Sequence, residues 1–273
     1  MRILVIGYGQ TGFQIVKNLS KIKTVDEILI FDPLTNNKLI DNKTKFLKSL
    51  NTNKIIDYII ISFSSISQSK RKQIYKKYNT SYDVRQSELN SNLNTLKKYI
   101  PFLKKISKRS KIIVVTNPMD VLTNYLQIKL KSSNVYGFGM ELDAQRYSKE
   151  LNKTINCIGL HGKAIPILNL KTKKEYIKLE KTIDTKLMTY LKENGTPHEF
   201  AGLQFNKFFK ELISNKNKKI LISCKLVDIS ISYPFIVNKG NIIKPVNITL
   251  NNIEKELFLD EIQQLRKTIK KLI

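Results

Sequence analysis

The sequence predicts an α/β protein: a doubly wound parallel sheet over residues 1-140, followed by an α+β half over residues 141-273. Three observations carry this reading. Short apolar runs alternate with amphipathic helical stripes through the first half. A glycine-rich turn joins the first run to the first stripe. Beyond residue 140 the alternation gives way to long helices and adjacent strand runs, with Lys239-Gly240 marking a turn. Strand, helix, strand repeated over short links requires a parallel sheet with crossovers on its faces.

The elements follow in order. Arg2–Ile6 is a β-rich run, and after the glycine turn Phe13, Ile15, Val16 and Leu19 form a helical stripe. Glu27–Phe31 is the second strand and ends in Asp32. A Lys/Asn-rich stretch with no decisive helical signal leads to Tyr58–Ser62, the third strand. The polar segment Ser64–Val84 lacks an apolar period and reads as a long loop, with or without a helical turn. Leu89, Leu93, Leu96, Ile100 and Leu103 then mark an amphipathic helix that Pro101 is expected to kink. Lys111–Val115 is a fourth strand, Asn117-Pro118 a turn, Met119–Leu130 a helix and Asn134–Gly137 a fifth strand. In the second half, strands around Ile155–Leu160 and Ile165–Leu170 precede a helix carrying Tyr176, Leu179, Ile183, Leu187 and Tyr190. Glu199–Ser214 is a further helix. Lys219–Val227, Tyr233–Val237 and Ile242–Ile248 read as antiparallel strands, and Phe258, Ile262, Leu265, Ile269 and Leu272 stripe a last helix.

Composition narrows the function. The 273 residues are 41% hydrophobic, which excludes a disordered or collagen-like chain. Cys157 and Cys224 form neither a disulfide framework nor a metal-ligand spacing, so no metal is expected and a reducing compartment is. Ile55–Ile61, the most apolar run, contains Asp57 and falls far short of the ~20 residues of a spanning helix. The N-terminus enters a strand directly, unlike a secretion signal, so a cytoplasmic product with no membrane partner is expected. The 48 Lys+Arg against 22 Asp+Glu give a net charge of +26, a value typical of nucleic-acid binders. Only six of these cations are arginine (Arg2, Arg71, Arg85, Arg109, Arg146, Arg266), and the lysines are spread along the chain. Such a spread fits biased residue usage, and charge alone specifies no nucleic-acid site.

Gly7-Tyr8-Gly9-Gln10-Thr11-Gly12 is a G-x-G-x-x-G turn between a strand and a helix. In that context the glycines allow close backbone approach, and the helix N-terminus attracts a pyrophosphate. Asp32 lies 20 residues after Gly12 at the end of the next strand, where a carboxylate accepts from ribose hydroxyls and repels a 2′-phosphate. The pattern points to NAD rather than NADP, with Gly7, Gly9, Gly12 and Asp32 as cofactor-binding residues.

Further motifs carry a family resemblance. Val114-Val115-Thr116-Asn117-Pro118-Met119-Asp120-Val121-Leu122-Thr123 resembles the V-V-S-N-P-V-D-I-L-T segment of L-lactate and malate dehydrogenases. Gly137-Phe138-Gly139-Met140-Glu141-Leu142-Asp143-Ala144-Gln145-Arg146 resembles their G-x-G-T-x-L-D-x-x-R, and Gly159-Leu160-His161-Gly162 their G-E-H-G. Leu226-Val227-Asp228, Ser232-Tyr233-Pro234 and the C-terminal stretch 239–272 follow in the family's order, so the likeness spans nearly the whole chain. The resemblance implies a Rossmann dinucleotide-binding domain, a substrate domain and the interconversion of a 2-keto acid and an L-2-hydroxy acid. It makes His161 the acid/base, Asp143 its orienting partner, Arg146 the clamp on the substrate carboxylate and Arg85 the polariser of the carbonyl. Asn117 would touch both nicotinamide and the reacting oxygen. Arg85 precedes Asn92 by seven residues, as the family's loop arginine precedes an asparagine. Against a lysine background, arginine at 85 and 146 suggests a need for the planar fork. Dimers or tetramers are also implied.

The chain departs from the pattern in places. Ser62-Phe63-Ser64-Ser65 replaces a small A-G step, the segment around Lys70–Lys77 is lengthened, and Leu160 replaces a glutamate before the histidine. Asn79 falls six residues before Arg85, where an arginine would suit a dicarboxylate, which disfavours malate. Arg85-Gln86-Ser87-Glu88-Leu89 and Ser232-Tyr233-Pro234 look more like the 2-hydroxyisocaproate dehydrogenase branch. His198 falls near the expected substrate pocket and reads as a solvated helix-start histidine. The alternatives are a catalytically silent dinucleotide-binding protein, or a malate dehydrogenase if the register of the lengthened segment differs.

Overall fold

A computed structural model of the chain describes residues 1–34, 40–51 and 54–273. The strands are β1 (Arg2–Ile6), β2 (Glu27–Phe31), β3 (Thr44–Phe46), β4 (Tyr58–Ile61), β5 (Lys111–Val114), β6 (Val135–Gly137), β7 (Cys157–Leu160), β8 (Lys163–Pro166), β9 (Lys218–Leu226), β10 (Ile229–Asn238) and β11 (Asn241–Pro245). The helices are α1 (Gln10–Leu19), α2 (Gln68–Lys77), α3 (Ser81–Ser87), α4 (Leu89–Ile106), α5 (Met119–Leu130), α6 (Met140–Leu151), α7 (Lys173–Asn194), α8 (His198–Leu212) and α9 (Asn252–Lys270).

One sheet runs in the order β3-β2-β1-β4-β5-β6-β9-β10-β7-β8, with β11 paired to β10 off this path. From β3 to β6 every pairing is parallel, and from the β6–β9 contact onward every pairing is antiparallel. The fold is therefore the α/β class expected, with a doubly wound parallel portion. The central strands β1, β4 and β5 are almost wholly apolar because helices cover both faces. One face packs against α1 and α8 through Ile15, Leu19, Phe205 and Phe209, and the other against α4 and α5 through Leu93, Leu96, Leu122 and Leu126. A third apolar cluster lies under α9. The sheet continues across residue 140, where Gly137 of β6 stands opposite Ser223 of β9.

The structure corrects the sequence reading in three places. The 64–84 segment is not a long loop: it forms α2 and α3, of which α2 buries only Ile74 and Tyr75 and so shows no apolar period. Its caps were the available signal, since Ser67 Oγ accepts from Lys70 N and Thr80 Oγ1 from Asp83 N. The Lys/Asn-rich stretch contains β3, with 35–39 and 52–53 lying outside the described residues. The strand expected over 165–170 is β8 and starts at Lys163, because the β7–β8 turn is only His161-Gly162. The helix striped by Leu89 to Leu103 is the single element α4, which runs through Pro101 without interruption, the proline lying on its exposed side.

Candidate active site

The glycine turn is built for close approach. Gly7 has φ +99°, and a Cβ there would lie 2.3 Å from Phe63 N. A Cβ on Gly12 would lie 2.1 Å from Gly7 O, whereas nothing stands within 4 Å of one on Gly9, the exposed glycine that opens α1. The first turn of α1 carries no acidic residue and no side-chain cap, so no carboxylate there offsets the partial positive charge of the helix N-terminus. At the end of β2, Asp32 Oδ2 accepts from Tyr8 N at 2.6 Å and Oδ1 from Leu34 N at 2.9 Å. These contacts fix the carboxylate beside the turn, with one donor on each oxygen among the described residues.

The β7–β8 turn carries His161. Its ring Nδ1 lies 2.7 Å from Asp143 Oδ2 on α6, while Asp143 Oδ1 accepts from Arg146 Nη1 at 2.5 Å. Residues 143 and 146 share a face of α6, so one carboxylate serves both partners. Gly139 just before α6 makes this packing possible, because a Cβ there would lie 2.6 Å from His161 Cγ. Arg85 enters from α3, is buried, and donates Nη1 to Ser81 O at 2.7 Å. Its Nε has no hydrogen-bond partner among the described residues. Asn117, between β5 and α5, is held through its carbonyl by Asn92 Nδ2 at 2.7 Å, and its buried Oδ1 has no such partner either. Arg85, Arg146, His161, Asn117 and Thr11 all line one cavity.

Burial and neighbouring charge set the protonation of this group. Burial pulls the His161 imidazole down, and although Asp143 opposes the shift, Arg85 and Arg146 add to it, leaving the pKa at about 4. Burial alone would raise Asp143, but His161, Arg146 and Arg85 outweigh it and hold the carboxyl well below the usual carboxylate range. The site thus pairs a neutral histidine with an ionised aspartate between two guanidinium groups.

Two expectations need correction. Asn79 lies exposed on the link between α2 and α3 and is not among the residues that line the cavity. The lengthened segment instead presents Arg71, which pairs with buried Glu88 at 3.1 Å. Sequence reasoning missed Arg71, although it is one of the six arginines whose rarity singled out Arg85 and Arg146. His198 is not a solvated helix start: Nδ1 lies 2.6 Å from Thr11 Oγ1 in the glycine turn. The close α1–α8 approach explains this, since a Cβ on Gly202 would lie 2.7 Å from Gln14 Cβ. Asn92, used in the sequence only as a spacing marker, fixes Asn117 and also accepts from Ser65 N at 2.8 Å.

No family model matches the chain. Its sequence is 28% identical over 217 residues to a malate dehydrogenase of Parabacteroides distasonis, spanning 68% of this chain and 69% of that one. It is 25% identical over 311 residues to an L-lactate dehydrogenase of Pseudothermotoga lettingae, spanning 99% and 96%. Among solved structures, malate dehydrogenase from Archaeoglobus fulgidus in complex with NADH matches with a TM-score of 0.79 at 20% identity, covering 100% and 99% of the two chains. L-Lactate dehydrogenase from Clostridium thermocellum matches at 0.76 and 19%, covering 99% and 98%. The chain is related to the malate and L-lactate dehydrogenases and shares their fold.

Proposed function

We propose that this relative of the malate and L-lactate dehydrogenases is an NAD-dependent L-2-hydroxyacid dehydrogenase. It interconverts a 2-keto acid and an L-2-hydroxy acid, with residues 1-140 holding the dinucleotide and residues 141-273 most of the substrate. The observation that carries the proposal is the His161–Asp143 pair opening, with Arg85 and Arg146, onto one cavity beside the glycine turn. The turn fits a dinucleotide, because Gly9 is open, the α1 N-terminus is free of acidic side chains, and Asn117 Oδ1 is a buried acceptor awaiting a donor. Gly7, Gly9 and Gly12 would receive the pyrophosphate, Asp32 the adenosine ribose and Asn117 the nicotinamide. Bound NADH supplies a hydride to the keto carbon.

The chain's own residues do the rest. Arg146 holds the substrate carboxylate through its planar fork, and Arg85 stabilises charge developing on the carbonyl oxygen. His161 gives its ring proton to that oxygen in reduction and takes the hydroxyl proton in oxidation. Asp143 fixes the ring orientation and stabilises the imidazolium. An anionic keto acid offsets the two arginines that depress His161, so substrate binding favours the protonated ring that reduction needs.

Val84, Leu187, Leu191 and Phe200 form an apolar wall, and Glu88 neutralises Arg71, which together favour a monocarboxylic acid with an apolar side chain. Arg71 also supports a second reading: released from Glu88, its guanidinium would face a second carboxylate, as malate requires. NADH oxidation with pyruvate, 2-ketoisocaproate and oxaloacetate separates the two. We expect 2-ketoisocaproate or pyruvate to lead, whereas preference for oxaloacetate would select the second reading. His161→Asn should abolish turnover while leaving NADH binding, read by fluorescence, within about twofold of wild type. Turnover retained in H161N would overturn the catalytic assignment, and NADH binding with no turnover of any keto acid would mark a silent binding protein.

A further inference from the structure

The turn that carries His161 is held by three carboxylates on three consecutive backbone amides. Leu160 N donates to Glu261 Oε2 at 2.7 Å, His161 N to Asp120 Oδ2 at 2.7 Å, and Gly162 N to Asp143 Oδ2 at 2.9 Å. The three acids come from α9, α5 and α6, and all are buried. We propose that Asp120 and Glu261 are positioning residues for His161, forming with Asp143 a cradle that fixes the backbone of residues 160–162 and through it the imidazole.

The geometry supplies the reason. A hairpin turn of only two residues leaves amides without ladder partners, and buried amides require acceptors. A carboxyl oxygen on each of the three amides satisfies it directly, so each contact resists displacement of the turn. Burying three acids is costly, and hydrogen bonds to amides offset part of that cost. The fold is also shaped around them. Gly159 at φ +103° has no Cβ, and one there would stand 2.1 Å from Glu261 Oε2. Asp120 is tied in turn to β10, where Ser232 Oγ donates to Oδ1 at 3.3 Å. One helical turn on, Asn124 Nδ2 donates to Ser230 O at 2.7 Å and its Oδ1 accepts from Ser230 N at 2.9 Å. The first turn of α5, which follows Asn117 directly, is thereby fixed to the same strand that supports the histidine turn. Asp120 thus couples the placement of Asn117 to that of His161.

Glu261 also answers a departure in the sequence. The residue before the histidine is Leu160 instead of the glutamate that the resemblance leads one to expect, and a carboxylate reaches its amide from α9. The titratable and charged groups facing this turn are Arg85 and Tyr82 from α3, Asp120 from α5, Asp143, Arg146 and Tyr147 from α6, Glu261 from α9, Glu180 from α7 and Lys163 from β8.

The proposal rests on His161 being the acid/base, and the experiment separates the two claims. Asp120→Ala removes the acceptor for His161 N. Glu261→Asp keeps the carboxyl group but withdraws it from Leu160 N by one methylene. Each should lower kcat about tenfold to a hundredfold, with the Kd for NADH changed by less than about twofold and the pH profile of kcat/KM displaced. Asp120→Asn keeps an acceptor oxygen and should recover most of the loss. If Asp120→Ala does not fold, Glu261→Asp carries the test alone. Wild-type kcat and pH profile in Glu261→Asp, or a kcat loss in Asp120→Ala that tracks loss of folded protein with an unmoved pH profile, would overturn the cradle. Turnover surviving in H161N would instead overturn the reading on which it rests.

Discussion

Asp143 serves three donors with two oxygens: Arg146 on Oδ1, and the His161 ring and Gly162 N on Oδ2. Its depressed pKa means that its stabilising contribution is in place above the ordinary carboxylate value and is lost only as pH falls below it. His161 and Asp120 act oppositely in the mildly acidic range. His161 falls from 6.5 to about 4 in the folded chain, so between those values the unfolded state binds more protons and stability drops as pH is lowered. Asp120 is raised by burial from 3.8 to about 6, so over much of the same range the folded state binds more protons and stability rises as pH is lowered. The two effects offset in the native protein. We therefore predict that D120N, in which only the histidine effect of this pair remains, loses melting temperature more steeply than wild type between pH 6.5 and 4. Parallel slopes in a scanning-calorimetry series would rule this out. The identities of these residues were legible in sequence, since motifs place His161, Asp143 and Arg146 in order. Their shared carboxylates were not, because Glu261 lies a hundred residues from Leu160 and no spacing rule connects α9 to that turn.

Elements with a strong apolar period were legible, as Gln10–Leu19 and Leu89–Ile106 illustrate, and α2 was not. A helix that buries two side chains has little periodicity to read, so its position depends on polar contacts that sequence does not announce. Arg71 pairs with Glu88, Tyr75 Oη lies 2.6 Å from Thr196 Oγ1, and Ser81 N donates to Asp184 Oδ1 at 3.0 Å. These ties hold α2 and α3 against α4, α7 and the start of α8, roofing the cavity. Glu88 is buried, and burial raises its pKa while Arg71 opposes the shift. Removing the cation by Arg71→Met leaves a buried acid that must be protonated or exposed, at a cost of roughly 1–3 kcal/mol. We expect urea unfolding to register that loss, and amide exchange to quicken over 68–77 far more than over 119–130. Equal protection of α2 in the variant and the wild type would show that Tyr75 and Thr196 suffice.

At the scale of the whole molecule, the +26 charge that first suggested a polyanion partner has a different setting. Among the described residues no lysine is buried, whereas Arg85 is, and Arg146 is largely so. The described lysines lie on solvated surfaces, whereas three of the six arginines, Arg71, Arg85 and Arg146, line the cavity, as the planar, weakly hydrated guanidinium allows. The surface excess has two consequences of opposite sign. It draws anionic keto acids and NADH toward the cavity over a distance set by the Debye length, ~10 Å at 0.1 M salt. It also repels itself and so weakens the compact state. Raising ionic strength from about 0.02 to 0.5 M should therefore lower kcat/KM for the keto acid several-fold and leave kcat nearly unchanged. Over the same range the melting temperature should rise. Chloride and acetate salts tested in parallel separate screening from specific anion binding, because screening depends on ionic strength alone. A flat kcat/KM beside a rising melting temperature would mean that the charge burdens the fold without guiding its substrate.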